Sequence, residues 1–185
     1  MQDDLTEEAR EVLDYWYTAL TPEQWWKRDD AVDEEVRGRF ADVYARLAKN
    51  VPEHWLSSPL GRLAAVIVLD QFPRNMFRDD PRAYATDHTA LEIASETVRA
   101  GDDQRLTPEQ RSFLYMPFQH SEDGAIQARS VELFRSLGDA EQLDFAQKHK
   151  QVIDRFGRFP HRNAVLGRET TLEEEAFLKE PGLFW

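Results

Sequence analysis

The stretch that decides the fold is Ser58-Pro-Leu-Gly-Arg-Leu-Ala-Ala-Val-Ile-Val-Leu-Asp70. Ser58 followed by Pro59 is a helix cap with proline at the first helical position. The run from Leu63 to Leu69 has no polar residue on any face, so it is either a strand or a helix buried all round. Its capped start gives it the length of a helix, and no other segment alternates with a period of two or offers a hairpin turn for a strand to pair through. It is expected to be a helix reaching about Asp70, inside an all-α fold.

The flanking sequence agrees. Thr6 caps a helix with Ala9, Val12, Leu13 and Trp16 on its apolar face, and Glu7 and Glu8 suit the positive N-terminal dipole. Val32, Val36, Phe40, Val43, Tyr44 and Leu47 recur at spacings of three and four. Asp80-Pro81 opens a further helix that Gly101 closes. Thr107-Pro-Glu-Gln110 is a capping box, and Pro117 is expected to end its helix. The next helix is expected from about Ser121 to Leu137, closed by Gly138. Asp139 caps one reaching Phe156, with Gly157 after it, and Thr171-Leu-Glu-Glu174 is a last capping box. Thr-Pro-Glu-Gln also stands at 21–24, which admits an old duplication, although capping boxes are common. No linker divides the chain, so residues 1–185 are expected to form a single helical domain, a compact bundle of antiparallel helix pairs.

The chain has 185 residues and a net charge of −12. That length is enough to bury a core. The charge argues against binding to nucleic acid or an acidic membrane surface. There is no Cys, which excludes disulfides, thiolate metal sites and Cys nucleophiles and fits a reducing compartment. The opening Met-Gln-Asp-Asp-Leu-Thr-Glu-Glu has neither a basic nor an apolar leader region, and Leu63–Leu69 is too short to cross a bilayer. The expected location is cytoplasmic.

One phrase appears twice, as Leu69-Asp-Gln-Phe-Pro-Arg-Asn75 and as Ile153-Asp-Arg-Phe-Gly-Arg-Phe-Pro-His-Arg-Asn163. In each, an aliphatic residue and Asp at a helix end lead to Phe-Pro and then Arg-Asn. Proline should stop the helix and put Arg-Asn on a turn, where polar groups can be aimed. Asp70 and Asp154 are expected to be tied to these Arg-rich turns, because an unpaired charge at the end of an apolar helix is costly.

These phrases, together with Tyr115-Met-Pro-Phe-Gln-His-Ser-Glu122 and Leu166-Gly-Arg168, resemble the bacterial family called domain of unknown function 924. The resemblance runs from the Trp-rich N-terminus to Phe177. The family's Pro-Phe-Glu-His-Ser-Glu has Gln119 here at its first Glu. The resemblance implies an all-α fold similar to tetratricopeptide-repeat (TPR) proteins and brings no established reaction. The TPR consensus itself is not readable in this chain.

Arg155, Arg158, Arg162 and Arg168 share one segment without Lys, while Arg74 and Arg78 belong to the first phrase. Arginine suits a planar grip on carboxylate or phosphate, but Asp70, Asp87, Glu122 and Asp154 are available to pair with these groups and brace the turns. In His120-Ser121-Glu122, Ser121 fits an N-cap and Glu122 a first helical turn. Alternatively, His120 is a general acid or base whose proton Glu122 sets. His149, Asp154, His161 and Asp87-His88 are metal-type ligands, but no His-Glu-x-x-His spacing groups them, and no phosphate loop, nucleophile elbow or Rossmann fingerprint is present. No metal and no cofactor are expected. Trp25-Trp26 could wall a pocket, although helical spacing favours core packing for most of Trp16, Trp25, Trp26, Trp55 and Trp185.

Two function classes stay open. In the first, Arg74, Asn75, Arg158, His161, Arg162 and Asn163 line a polar pocket for a small anionic molecule, a phosphate or a carboxylate, with His120 and Glu122 as the catalytic pair if chemistry follows. In the second, the chain is a TPR-like adaptor for a protein or peptide.

Overall fold

The computed structural model describes residues 5–180. Among them every regular element is helical and no strand occurs. Residues Met1 to Asp4, part of the opening segment read above, and Trp185 lie outside the described residues. The chain packs as two compact units, one of residues 5–78 and 82–117, the other of residues 79–81 and 118–180.

The first unit contains α1 (Glu7–Asp14), α2 (Pro22–Trp26), α3 (Asp30–Leu47), α4 (Glu53–Leu56), α5 (Pro59–Val66), α6 (Phe72–Met76), α7 (Asp87–Ala100) and most of α8 (Pro108–His120). Ser58 accepts from the Gly61 amide at 3.1 Å and so caps α5 as its sequence predicts. Every residue from Leu63 to Leu69 is fully buried, with α1, α4 and α7 packed against α5. Gly61 permits this packing, since a Cβ there would run into the Trp55 carbonyl. Beside the run, Phe40 and Phe72 stack at 4.7 Å and Trp16 meets Phe113 edge-on at 5.3 Å. Trp16 and Trp55 are core residues.

The helix does not stop at Pro73. A π turn over Ile67–Gln71 carries α5 into α6, so Arg74 and Asn75 sit on a helix rather than a turn. The widened turn admits the proline, and Thr86 supplies a donor to the Leu69 carbonyl, which a proline at 73 cannot serve. Pro117 likewise lies inside α8 rather than ending it. Asp80-Pro81 leads into a 3-10 turn, Pro81–Tyr84, and α7 begins only at Asp87.

The second unit contains the end of α8, α9 (Gly124–Leu137), α10 (Ala140–Phe156), a 3-10 turn over Pro160–Arg162, and α11 (Leu172–Leu178). α9 packs along α10, and Val152, Ile153, Phe159 and Phe177 form a core against which Phe156 rests. The cap of α9 is Asp123, not Ser121: Asp123 accepts from the Ala125 and Ile126 amides at 2.8 and 3.0 Å. Ser121 instead accepts from the Asp123 amide, a local turn that a short hydroxyl side chain favours. The capping boxes at Thr107 and Thr171 and the left-handed closures at Gly101, Gly138 and Gly157 are as expected.

Candidate functional site

In the second unit, Phe159 is the residue around which the site is built. It follows α10 after the Gly157 closure and is fully buried. Its backbone N–H donates to Glu122 Oε1 at 2.7 Å, and its carbonyl accepts from Arg168 Nη2 at 3.0 Å. Arg168 also grips Glu122 with both arms, at 2.7 and 3.0 Å, and donates from Nε to Asn163 Oδ1 at 2.9 Å. Burial pushes the Glu122 carboxyl upward, but Arg168 and the Phe159 amide outweigh it and hold the group below the usual carboxylate range. Glu122 therefore stays charged and joins two loops; it does not belong to a first helical turn.

A second clamp lies on the same segment. Arg158 grips Glu174 at 2.7 and 2.9 Å and donates to the Glu169 carbonyl at 2.7 Å. Asn163 Nδ2 reaches Glu174 Oε2 at 3.3 Å. The Arg158 fork holds Glu174 down to about 2.

Three polar side chains gather at the Phe159 ring. The rings of His149 and His161 each lie 5.6 Å from it, and the Arg162 guanidinium is 4.7 Å from its centroid. Arg162 is only 7% exposed. His149 Nδ1 is 2.8 Å from the Phe145 carbonyl one turn back. Burial pushes His149 down to about 3, and the positive charges of His120 and Arg162 act in the same direction. The ring is therefore neutral near pH 7. Nδ1 must carry the proton it donates to Phe145, which leaves Nε2 as an acceptor.

Of the residues expected at a site, the second unit thus brings His161 and Arg162 to the Phe159 ring and His120 within electrostatic reach of His149, with Glu122, Arg158 and Asn163 in the clamps. Arg74 and Asn75 belong to the first unit. There Arg74 grips Asp87 at 2.8 and 2.9 Å and reaches the Asp70 carbonyl at 2.5 Å. Burial pulls the Arg74 pKa down, but the Asp70 and Asp87 charges push it further up, above its ordinary value. Asn75 donates to Asp33 at 2.8 Å, and Arg78 grips the same carboxylate. Asp70 is fully buried and accepts from Gln71 at 2.6 Å, as expected for a tied carboxylate. Asp154 is not tied: it is exposed and pairs with Lys150 one turn away at 2.5 Å. The last turn of α10 points it away from the buried face that carries Val152 and Ile153.

Sequence reasoning counted His149 only among scattered metal-type ligands. The signal that places it in the site was legible, because Phe145, His149, Val152 and Phe156 follow the helical period of the buried face. Among the described residues, no group of three or more His, Asp or Glu side chains is arranged to hold a metal ion, and no helix is long and apolar enough to cross a membrane.

The family model described as "Bacterial protein of unknown function (DUF924)" matches residues 12–182. The chain belongs to this family. A DUF924 chain of this kind is also similar to a solved structure, that of the protein of unknown function ATU0120 from Agrobacterium tumefaciens. Identity is 41%, the TM-score is 0.88, and the match covers 92% of this chain and 96% of that one. No curated protein matches this DUF924 member.

Proposed function

We propose that the second unit binds a small anionic molecule, a phosphate or a carboxylate, at the side chains gathered around Phe159. The observation that carries this reading is Arg162, buried on the Phe159 ring that His149 and His161 also meet. Its charge acts on both Glu122 and His149 and supplies a buried cation inside a chain of net charge −12. Arg162 and His161 would hold the anion. His120 would be the group that exchanges a proton with it in any reaction that follows. Arg74, Asn75, Arg158 and Asn163 take the bracing role in this reading: Arg74 holds Asp87, Asn75 holds Asp33, and Arg158 and Asn163 hold Glu174. Glu122 also braces, through Arg168. A cytoplasmic setting is part of the reading and rests on the cysteine-free sequence.

The test is to follow the imidazole NMR signals of the histidines while sodium phosphate or sodium acetate replaces chloride at constant ionic strength. Saturable shifts at His120 and His161, absent in Arg162→Ala, support the site. Signals that do not move refute it.

One observation favours a protein partner as a second reading. Trp26 is 56% exposed and stacks on the buried Phe113 at 5.4 Å. A large exposed aromatic on a rigid base suits a protein interface. If it serves one, a TPR-like adaptor role moves ahead, and Trp26→Ala should abolish capture of that partner while anion binding stays intact.

A further inference from the structure

Three buried polar groups of the second unit lie outside the clamps. Gln127 and Ser130 on α9 are fully buried, and Gln119 near the end of α8 is nearly so. Gln127 Nε2 donates to the Gln119 and Ser121 carbonyls, both at 2.7 Å. Those two residues flank His120, and the bonds fix which way the Gln127 amide faces. Its other end, Oε1, meets no hydrogen-bond partner among the described residues, and neither do Gln119 Oε1 and Ser130 Oγ. Ser130 stands three residues beyond Gln127, on the same face of α9. α9 packs along α10, which carries His149.

The chemistry on offer is lopsided. Two amide carbonyls accept hydrogen bonds, and one hydroxyl accepts or donates. Buried acceptors without donors are costly. A bare acetate brings no donor to them, and inorganic phosphate brings only the P–OH of the anionic group itself, which this reading places at Arg162. An ammonium group would bring donors, but its charge would stand beside those of His120 and Arg162, whose repulsion is already felt at His149. A neutral hydroxyl both donates and accepts without that penalty.

We infer that the anion taken by this cluster also carries a hydroxyl group, as short hydroxy acids and polyol phosphates do, with the anionic end at Arg162 and the hydroxyl at Gln119, Gln127 and Ser130. This rests on the anion-binding reading given above. It is tested on the full chain by calorimetric titration with matched probes: acetate, glycolate and glycine, then inorganic phosphate and glycerol 3-phosphate. Glycolate should bind at least about tenfold more tightly than acetate, and glycerol 3-phosphate than phosphate, while glycine gains nothing over acetate. Ser130→Ala and Gln119→Leu should each shrink the gap. Ser130→Ala should not lower the melting temperature, because it deletes a buried hydroxyl that has no partner. Equal affinities within each pair, or a gap unchanged in both variants, overturn the hydroxyl inference and leave the anion site standing. Failure of every probe to bind overturns both.

Discussion

Thr86 donates its hydroxyl to the Leu69 carbonyl at 2.5 Å. Four residues after Leu69 comes Pro73, which has no N–H to give, and yet the helix runs on through a π turn into Phe72–Met76. The pairing explains how the Leu-Asp-Gln-Phe-Pro-Arg-Asn phrase stays helical with its carbonyl buried. Thr86→Val keeps the shape and removes the donor. It should cost about 1–3 kcal/mol in urea unfolding, and Thr86→Ser should restore most of that. Unchanged stability in the valine variant would show that the carbonyl has another donor.

Glu122 and Arg168 form a two-armed pair that also carries the Phe159 amide and carbonyl. Glu122→Ala should destabilise by about 2–4 kcal/mol, because it leaves both a guanidinium and a backbone N–H without their acceptor. Arg168→Ala should cost a similar amount, and the double variant clearly less than the sum. Strict additivity in denaturant melts would mean that the two act independently.

The pH dependence follows from His149. Its folded pKa of about 3 lies below the ordinary 6.5, so the folded state prefers the neutral ring while the unfolded chain takes up a proton below 6.5. Its contribution is therefore complete above pH 6.5 and is lost as the pH falls from there toward 3. Between pH 7 and pH 5 the loss should be about 2 kcal/mol. His149→Gln, which keeps a donor for Phe145, should flatten that slope. Glu174, held down to about 2, acts lower: its share is present above the ordinary carboxylate pKa and fades as the pH falls toward 2. Equal pH slopes in wild type and His149→Gln would contradict the assignment.

Asp70 and Asp154 hold matching places in the two phrases but different environments. Asp70 is fully buried beside Gln71 and Arg74, whereas Asp154 is exposed beside Lys150. Asp154→Asn should change stability by no more than about 0.5 kcal/mol. Asp70→Asn should cost roughly 2–4 kcal/mol. Thermal melts of the two variants side by side decide it, and equal losses would contradict the contrast.

The helices were legible because their ends are written locally. Thr6, Ser58, Thr107, Asp139 and Thr171 each start the helix that their side chains announce, and the apolar run at 63–69 allowed no exposed face. Pro73 and Pro117 both lie inside helices that the sequence ends at them. At Pro73 the Leu69 carbonyl found a donor in Thr86, seventeen residues further along the chain, and no local rule reveals such a donor. Ser121 lost the cap to Asp123 because both fit the position and Glu122 was required elsewhere, by Phe159 and Arg168. The Arg residues were readable as a set, but which carboxylate each one grips depends on pairs as distant as Glu122 and Arg168. His149 was readable from helical period alone, although its neutrality follows only from burial.

The most direct measurement is a calorimetric titration of inorganic phosphate into wild type, Arg162→Ala and Arg155→Ala. Arg155 pairs with the exposed Glu173 at 2.9 Å and serves as the control. The account predicts saturable binding in wild type and in Arg155→Ala, and at least about tenfold weaker binding in Arg162→Ala with helix content unchanged by circular dichroism. Phosphate binding of equal strength in a folded Arg162→Ala, or no binding to wild type, would contradict it.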